Sequence, residues 1–427
     1  MISYIVNKAG IPFINICSAV RSLSWKRDSS IALFGAWFGE KFADNTRYLY
    51  QHLSEHKSKY GLSHVVWVTK NESVLKELHM MGYEAYLMDS EESIYYHKKA
   101  KYHIICNYSK TQRRIDSQGR IQEINGDILD DYSYGAVRIN LWHGIGGPKA
   151  VGLKSNNYLA KKKKHPFICA INEFLIYHSS IFQRLFRDRN GWAWCYRIAP
   201  SDTEMKAICD DHGCPEFLCI HTNYPRNCIC PKLLTAEQQL IIKMQEYNAT
   251  ILYLPTFRSS SEFVQENISK QLEGFLNDKN VLWIEKPHSA AITYSNVLNS
   301  SNVVKLDSNF DINVLMPYIT ILITDYSSAR MDAVYHRKPV FYYVPDFQEY
   351  KEGANGFLDD PEKLMCGPIL FSISELKESL EKYIGDPEKA KTEQYERIRA
   401  LYWNESDDLE EIWRKIVSCT TRKRTNK

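Results

Sequence analysis

The chain has 427 residues, 44% of them hydrophobic and 25% charged, and its formal net charge is +3. This length is large for one hydrophobic core and favours two domains. The balanced charge argues against a dedicated nucleic-acid-binding protein, and the ordinary composition argues against a long disordered or collagen-like chain.

Eleven cysteines are scattered along the chain without a C-x-x-C pair, so a metal site is not expected. Their odd number, and the lack of a cleavable signal sequence, favour reduced thiols and a cytosolic protein. The sequence has no run of about 18 apolar residues, which a membrane-spanning helix would need.

The N-terminal segment, residues 1–29, is moderately apolar and ends in basic residues. Two interpretations stay open: a helix packed on the protein, or an interfacial helix that turns Arg21, Lys26 and Arg27 toward anionic lipid. A second basic run, Lys161–Lys164, predicts a solvated loop. Contact of that run with a membrane surface or a polyanionic substrate is the alternative.

From residue 30 onward, apolar runs alternate with amphipathic segments, which predicts strands alternating with helices. The first set has the predicted strands IALFGAW, HVVWVT, EAYLMD, YHIICN, VRINLWHG and WCYRIAPS. Helices are predicted over residues 44–56, around Lys76 and Leu78, over Ser93–Lys99 and over residues 202–213. Asp44 or Asn45 is the expected N-cap of the first helix.

A second set follows the segment TNYPRNCICPK. Its predicted strands are TILYLPTF, NVLWIEKPH, VVKLD, TILITDY and PVFYYVP, with helices over Ser260–Asn277, over Ile312–Tyr318 and from Ser372 onward. Two such sets predict an α/β protein with two Rossmann-like domains, each with a parallel sheet covered by helices. The predicted boundaries are 1–29 for the N-terminal segment, 30–228 and 229–385 for the two domains, and 386–427 for helices that cross back to the N-terminal domain.

Polar residues follow four of the predicted strands. They are His143 with Gly144, Gly146, Gly147 and Lys149; Thr256 with Arg258; Lys286 with His288; and Asp325 with Ser327 and Ser328. The carboxyl ends of parallel strands share one edge of a sheet, and ligands of such sheets bind there. The sequence therefore predicts a ligand site at these ends.

The residue types at these ends favour an anionic ligand. A helix N-terminus with serine hydroxyls binds phosphate well, and Arg258 and Lys286 would add positive charge. Asp325 is expected to orient its loop rather than touch the ligand, because a carboxylate beside a diphosphate is unfavourable. An imidazole such as His143 suits a general base for a hydroxyl nucleophile. Neither a P-loop nor a dinucleotide fingerprint is present.

These motifs together resemble those of the CDP-glycerol glycerophosphotransferases, the teichoic acid primases and polymerases. The resemblance rests on LITDYSSARMDAVYHRKPVFYYVPDFQEY, NLWHGIGGPKAVG, ILYLPTFRSS and IEKPHS, and extends to FGAWFGEKFADNTRYLY and KKAKYHIICN. It covers roughly Leu33 to Pro368.

The resemblance implies a GT-B fold, in which two Rossmann-like domains have parallel sheets that face a central cleft. It implies transfer of a polyol phosphate, with glycerol phosphate favoured, from a CDP-polyol to an acceptor hydroxyl, with release of CMP. The product would be teichoic acid, capsule or a related cell-surface polymer, and the acceptor a glycan or a lipid-linked polyol phosphate. No metal or other cofactor and no nucleic acid are expected, and the expected location is the cytoplasmic face of the cell membrane.

The resemblance also implies roles for individual residues. His143 would be the base in an acceptor domain at 30–228, and His288 would act in catalysis as a ligand of the donor phosphate. The expected donor-binding residues of the domain at 229–385 are Thr256, Arg258, Lys286, His288, Asp325, Ser327, Ser328 and Asp332. The expected acceptor residues are Gly144, Gly146, Lys149 and Arg226.

The chain departs from the family pattern at several positions. The segment NYPRNC keeps Arg226 but lacks the flanking glycine and aspartate, Asn355 stands where an arginine is usual, and WHGIGGPK alters the spacing before Lys149. These changes leave the polyol and the acceptor open. The alternatives are a CDP-ribitol-dependent transferase, a GT-B glycosyltransferase that uses a nucleotide sugar, and a non-catalytic module that binds an anionic polymer. Intact His143 and His288 argue against the last.

Overall fold

The computed structural model describes residues 13–14, 16–107, 112–115, 120–145, 152–178, 195–212, 214–256, 268–286, 302–352, 357 and 360–421. The chain divides into two compact units. Unit 1 comprises Met1–His143, Lys164–Pro231 and Glu405–Lys427, and unit 2 comprises Gly144–Lys163 and Lys232–Asn404.

Within its described residues, unit 1 contains a seven-stranded parallel sheet. Its strands are β1 (Asp28–Phe34), β2 (His64–Thr69), β3 (Ala85–Leu87), β4 (Ala100–Ile105), β7 (Val137–Asn140), β8 (Tyr196–Ala199) and β9 (Cys219–His221). They lie in the order β3-β2-β1-β4-β7-β8-β9. Two further strands, β5 (Gln112–Ile115) and β6 (Ile121–Ile124), form a separate antiparallel ribbon.

The helices of unit 1 that follow β1 fall between the strands, except for the last. They are α1 (Asp44–Glu55), α2 (Glu72–Met80), α3 (Glu91–Lys99), α5 (Pro166–His178), α6 (Asp202–His212) and α15 (Leu409–Thr421). Side-chain caps define two of the starts: Asn71 accepts backbone N–H bonds at the start of α2, and Ser90 does so at the start of α3. The last helix packs against α1 and β9.

Unit 2 is built on a second parallel sheet. Its strands are β10 (Ala249–Leu254), β11 (Val281–Glu285), β12 (Val303–Lys305), β13 (Ile321–Thr324), β14 (Val340–Tyr343) and β15 (Ile369–Leu370), in the order β12-β11-β10-β13-β14-β15. The described helices are α4 (Asn156–Lys164), α7 (Thr235–Met244), α8 (Ile268–Gln271), α9 (Glu273–Lys279), α10 (Ala329–Tyr335), α11 (Phe347–Glu352), α12 (Pro361–Leu364), α13 (Ile373–Tyr383) and α14 (Gln394–Tyr402).

The central strands of the unit 2 sheet are buried, as parallel strands covered on both faces are. Every residue of β10 and β13 is buried, which explains why these segments read as continuous apolar runs. The predicted α/β class with two Rossmann-like parallel sheets is confirmed.

Each sheet reverses its strand order at one point. In unit 1 the order reverses between β1 and β4, and in unit 2 between β10 and β13. Ligands of open α/β sheets bind beyond the carboxyl ends of the strands at such a switch point. A ligand site is therefore expected near the residues that follow these four strands.

Some local predictions were wrong. The lysines of Lys161–Lys164 were predicted as a loop, but they are the exposed end of helix α4. Asp44 is the first residue of α1 rather than its N-cap, a position that Ala43 takes. The predicted helix Ile312–Tyr318 is only a 3-10 turn at Ile312–Val314 followed by turns. Of the predicted helix Ser260–Asn277, the described part is broken at Leu272, between α8 and α9.

The N-terminal segment packs on unit 1 through one side, and the guanidinium of Arg27 donates to the carbonyls of His97 at 2.6 Å and Tyr132 at 2.7 Å instead of pointing outward as the interfacial alternative supposed. Residues 16–23 are helical, and Ser22 is buried with its hydroxyl donating to the Tyr134 carbonyl at 2.7 Å. The opposite side is apolar and exposed at Phe13, Ile16, Val20 and Leu23. Among the described residues, no helix is both long and apolar enough to cross a bilayer.

A buried histidine beside β4 makes unit 1 sensitive to acid. His97 donates from Nδ1 to the Ser93 carbonyl at 2.7 Å, and its Nε2 accepts from the Leu129 N–H at 3.0 Å. Burial lowers the pKa of His97 from 6.5 to about 4, so the unfolded chain takes up a proton at a higher pH than the folded one. Stability is therefore present above pH 6.5 and is lost as the pH falls toward about 4, by about 3 kcal/mol in total from this group.

Urea unfolding between pH 7 and pH 4.5 measures this loss. We expect the free energy of unfolding of the wild type to fall more steeply with decreasing pH than that of His97→Asn, by about 1 kcal/mol per pH unit. Equal slopes for the two proteins would contradict the assignment to His97.

Candidate active site

His143 lies beyond the carboxyl end of β7 and is half-buried. Its Nδ1 is 3.0 Å from the carbonyl oxygen of Cys106, the residue that follows β4. A carbonyl oxygen only accepts, so Nδ1 carries the hydrogen and donates it. Nε2 is then the unprotonated nitrogen of the neutral ring, which is the nitrogen that a general base needs.

The surroundings of His143 keep this ring neutral at pH 7. Burial lowers the pKa of His143 from its ordinary 6.5. Asp44 and the bond to the Cys106 carbonyl act in the opposite direction, whereas Arg226 and Arg197 lower the pKa further. The indole of Trp37 packs beside the imidazole, with ring centroids 5.0 Å apart.

The backbone that presents His143 is bent at Trp142. This residue has φ = +54°, which is uncommon for a large side chain. Its N–H donates to Asn140 Oδ1 at 2.8 Å, and its carbonyl accepts from Asn45 Nδ2 at 2.8 Å. Two side-chain amides thus hold the bend from which His143 projects.

Arg226, predicted as an acceptor residue, is buried beside α1. Its guanidinium lies 2.6 Å from the Asp44 carboxylate, with both side chains almost fully buried. The backbone N–H of Arg226 donates to Asn45 Oδ1 at 3.1 Å. These contacts fix Arg226 at the start of α1. From there its positive charge lowers the pKa of His143.

In unit 2, Asp325 ties together the chain ends that follow β10 and β13. Its carboxylate accepts from the Thr256 N–H at 2.9 Å, from the Thr256 hydroxyl at 2.9 Å and from the Tyr326 N–H at 2.6 Å. Thr256 and Asp325 are thus brought together at the switch point of this sheet. These bonds occupy both carboxylate oxygens of Asp325.

The two serines that follow differ in their surroundings. The hydroxyl of Ser327 accepts from the Ala329 N–H at 3.2 Å and so supports the start of α10. Ser328 occupies the N-cap position without a side-chain capping bond to the described helix. A Cβ placed on Gly144 would lie only 2.6 Å from Ser328 Oγ, so a larger residue at position 144 would require the Ser328 hydroxyl to move.

The remaining described candidates lie around the same sheet. Lys286 follows β11, and its Nζ donates to the Phe310 carbonyl at 2.5 Å. Asp332 is buried on α10. The predicted residues Gly146, Lys149, Arg258 and His288, and the departure at Asn355, lie outside the described residues.

Sequence reasoning missed three residues that shape the surroundings of His143. Trp37 packs on the imidazole, Asp44 influences its pKa, and Asp127 bonds the backbone that carries the Cys106 carbonyl. Asp44 was seen only as a helix cap, and Asp127 stands in no pattern that the sequence alone reveals. The positive φ of Trp37 is equally invisible in the sequence.

Comparison with known proteins gives a consistent result. Residues 18–417 match the family model described as CDP-glycerol:poly(glycerophosphate) glycerophosphotransferase. The chain is 22% identical over 380 residues to a teichoic acid poly(glycerol phosphate) polymerase of Bacillus spizizenii, covering 83% of this chain and 84% of that one. It is 22% identical over 410 residues to a teichoic acid glycerol-phosphate transferase of Staphylococcus aureus, covering 91% and 93%.

Solved structures share the fold. A histidine-to-alanine variant of the wall teichoic acid polymerase TagF matches with a TM-score of 0.64 at 17% identity, covering 99% of this chain and 97% of that chain. A TagF variant soaked with CDPG matches with a TM-score of 0.62 at 16% identity, covering 97% and 95%. At these identities the likeness establishes the fold alone.

Proposed function

The chain belongs to the CDP-glycerol:poly(glycerophosphate) glycerophosphotransferase family, as its motifs predicted, and from this premise we propose that it transfers glycerol phosphate from CDP-glycerol to an acceptor hydroxyl. The acceptor oxygen attacks the phosphorus that bears the glycerol. The bond from that phosphorus to the bridging oxygen breaks, and CMP leaves. The proton of the hydroxyl passes to the base.

The observation that carries this proposal is the state of His143. Its Nδ1–H is donated to the Cys106 carbonyl, its pKa is lowered by burial, and the residue as a whole is only partly buried. A neutral imidazole whose tautomer leaves the lone pair on Nε2 meets the requirement for a general base near pH 7. We assign His143 this role.

The groups that hold the donor belong to unit 2 in this proposal. Ser327 and Ser328 are partly exposed at the switch point, with Asp325 and Thr256 bonded to each other behind them. Two serine hydroxyls and the Lys286 ammonium suit the diphosphate, because they offer donors and positive charge. Arg258 and His288 complete the proposed set from their motifs. We propose Asp332 as a support of α10 rather than a ligand, because its side chain is buried.

The acceptor is proposed as a glycan or lipid-linked polyol phosphate of a teichoic acid or capsule-like polymer. The curated relatives act on teichoic acid by name, and Gly144, Gly146 and Lys149 follow the proposed base in sequence. We propose that the transfer needs no metal ion, since His143 would take the proton and the serine hydroxyls and Lys286 would bind the diphosphate.

A donor screen tests the reaction. The full chain is incubated with CDP-glycerol, CDP-ribitol or a UDP-sugar, together with a glycerol phosphate oligomer acceptor, and products are identified by mass. We expect CMP release and an added mass of one glycerol phosphate with CDP-glycerol, also in the presence of EDTA. Transfer from CDP-ribitol alone, or from the UDP-sugar alone, would replace the proposed donor, and loss of transfer with EDTA would overturn the metal-free reaction.

We further propose that the protein acts at the cytoplasmic face of the membrane through two apolar helical faces of unit 1. Helix α5 exposes Phe167, Ile168, Ile171 and Phe174, each between 47% and 76% accessible. These residues recur at helical spacing and follow directly on the exposed lysines of α4 in sequence. The N-terminal helix exposes the second face, Phe13, Ile16, Val20 and Leu23. Apolar residues beside lysines favour the interface of an anionic bilayer.

Vesicle sedimentation checks this prediction. We expect the protein to bind phosphatidylglycerol vesicles more tightly than phosphatidylcholine vesicles, and salt to weaken that binding. The double variant Ile171→Ser/Phe174→Ser should bind at least about tenfold more weakly, because it removes two inserting side chains. Ile242→Ser, which changes an isoleucine that is 60% exposed on α7, serves as the control. Unchanged binding of the double variant would contradict the assignment of α5.

A further inference from the structure

Asp127 lies between β6 and β7, and its carboxylate is fully buried. One oxygen, Oδ1, accepts from the Phe38 N–H at 2.8 Å. The other, Oδ2, accepts from the Cys106 N–H at 3.0 Å and the Asn107 N–H at 2.7 Å. The carboxylate thus joins the segment after β1 to the segment after β4, across the switch point of the sheet.

Both segments support the imidazole of His143. The segment after β4 contributes the Cys106 carbonyl, which accepts the Nδ1–H bond. The segment after β1 contributes the indole of Trp37, which packs beside the ring. A single buried carboxylate therefore holds the hydrogen-bond partner and the packing partner of the same histidine.

We propose that Asp127 is a positioning residue for His143, which fixes the tautomer and the direction of the base through the backbone rather than by touching the ring. The inference rests on the proposed role of His143 and deepens it. In many hydrolases a carboxylate accepts the hydrogen bond of the base directly. Here the backbone carbonyl of Cys106 accepts that bond, and Asp127 accepts a bond from the N–H of Cys106.

The backbone after β1 shows why such a charge is needed. Trp37 and Phe38 have φ values of +46° and +61°, in the left-handed region that large side chains rarely adopt. Such residues cost free energy and persist only where their surroundings fix them. The bond from the Phe38 N–H to a buried carboxylate is charge-assisted, and such bonds are stronger than neutral ones.

The backbone that directly follows β1 also packs closely against Asp127. A Cβ placed on Gly35 would lie only 2.0 Å from the Asp127 carbonyl oxygen. Only glycine at position 35 leaves room for this packing, so the position of Asp127 is set by the backbone on one side and by three amides on the other.

The variant Asp127→Asn tests the proposal, since asparagine has the same shape but presents an N–H group to a site that holds N–H donors. We expect kcat for transfer from CDP-glycerol to fall about 10- to 100-fold, with KM for CDP-glycerol changed by less than about twofold because the proposed donor ligands are elsewhere. The nitrogen chemical shifts of labelled histidine, assigned by comparison with a His143→Asn protein, should change from one tautomer to a mixture.

The pH–rate profile provides a further readout. Among the described residues, the charges of Asp44, Arg226 and Arg197 act on the pKa of His143, and none of them changes in this variant. Loss of the bond to the Cys106 carbonyl, which raises the pKa of His143, should move the acid limb of the profile to lower pH. The control is Asp130→Asn, since Asp130 is an equally buried carboxylate of the same segment that pairs with Arg138 at 2.7 Å.

The outcomes separate the inference from the proposed function. An unchanged kcat and tautomer in Asp127→Asn, or an equal fall of kcat in Asp130→Asn, would overturn the positioning role. If Asp127→Asn does not fold, Asp127→Ser keeps one acceptor at smaller volume and takes its place. A His143→Ala protein with full activity would instead overturn the base, and the tautomer measurement would still decide what Asp127 does.

Discussion

Replacing His143 with alanine should reduce glycerol phosphate transfer from CDP-glycerol by about 10³-fold, since a positioned general base typically contributes 10²- to 10⁴-fold. The acceptor hydroxyl would then have to lose its proton to water. KM for CDP-glycerol should change little, because the residues proposed to hold the donor belong to the other unit. Initial rates of CMP release with and without acceptor measure both quantities.

The pH dependence of the wild type gives a second test of the same residue. Burial lowers the pKa of His143 below 6.5, and the base is active only when neutral. The rate should therefore be flat around pH 7 and fall with an apparent pKa below 6.5. His79→Ala, a change of an exposed histidine on α2, is the control. A His143→Ala protein that retains half of the wild-type rate would refute the assignment.

The second large effect is expected at the ion pair of Asp44 and Arg226. Their side chains are 6% and 1% exposed and 2.6 Å apart. Breaking a buried pair leaves one charge without compensation, which typically costs about 3–5 kcal/mol. Asp44→Asn should lower the free energy of unfolding by this amount, and asparagine is the right replacement because it tolerates the φ of +68° at this position.

A double-mutant cycle measures the interaction energy between Asp44 and Arg226 separately from the contribution of each side chain. Asp44→Asn/Arg226→Met should be less destabilised than the sum of the single variants, because neither charge is then left alone. The exposed pair of Lys59 and Glu410, with side chains about half accessible, is the control, and Glu410→Gln should destabilise the protein far less than Asp44→Asn. Strict additivity at Asp44 and Arg226 would refute the coupling.

The longer strands of both sheets could be predicted from the sequence because they are continuous apolar runs; HVVWVT, for example, is β2 residue for residue. The short strands β9 and β15 were missed, since two or three residues show no usable periodicity. The ribbon of β5 and β6 was missed as well, because its alternation is interrupted by polar and charged residues.

Some residues of the candidate site could likewise be predicted from the sequence, and others could not. His143, Asp325 and the serine pair could be found because each directly follows an apolar run, and the sheet brings Asp325 to Thr256 as predicted. Asp127 could not be found, since its partners are backbone amides that any residue supplies. The burial of Arg226 was also invisible, because its partner Asp44 lies 182 residues away in the sequence.

The two sheets share a structural feature that is not evident in the sequence: a carboxylate that bonds groups at the ends of two neighbouring strands. In unit 1 the carboxylate of Asp127 bonds amides that follow β1 and β4, and in unit 2 that of Asp325 bonds groups that follow β10 and β13. Each carboxylate lies at the switch point of its own sheet. A parallel sheet leaves unpaired amides where adjacent strands diverge, and a buried carboxylate satisfies several of them at once.

The way the chain returns to unit 1 also determines when that unit can be completed during synthesis. Thr222, just after β9, bonds Asp407, just before α15, at 2.8 Å, although 185 residues separate them in the sequence. At the ribosome this separation corresponds to a delay of roughly 10–40 s. Until then the surface that receives Ile412, Trp413 and Ile416 stays open to solvent. The unit that begins the chain is therefore finished only after residues 232–404 of the other unit have been made.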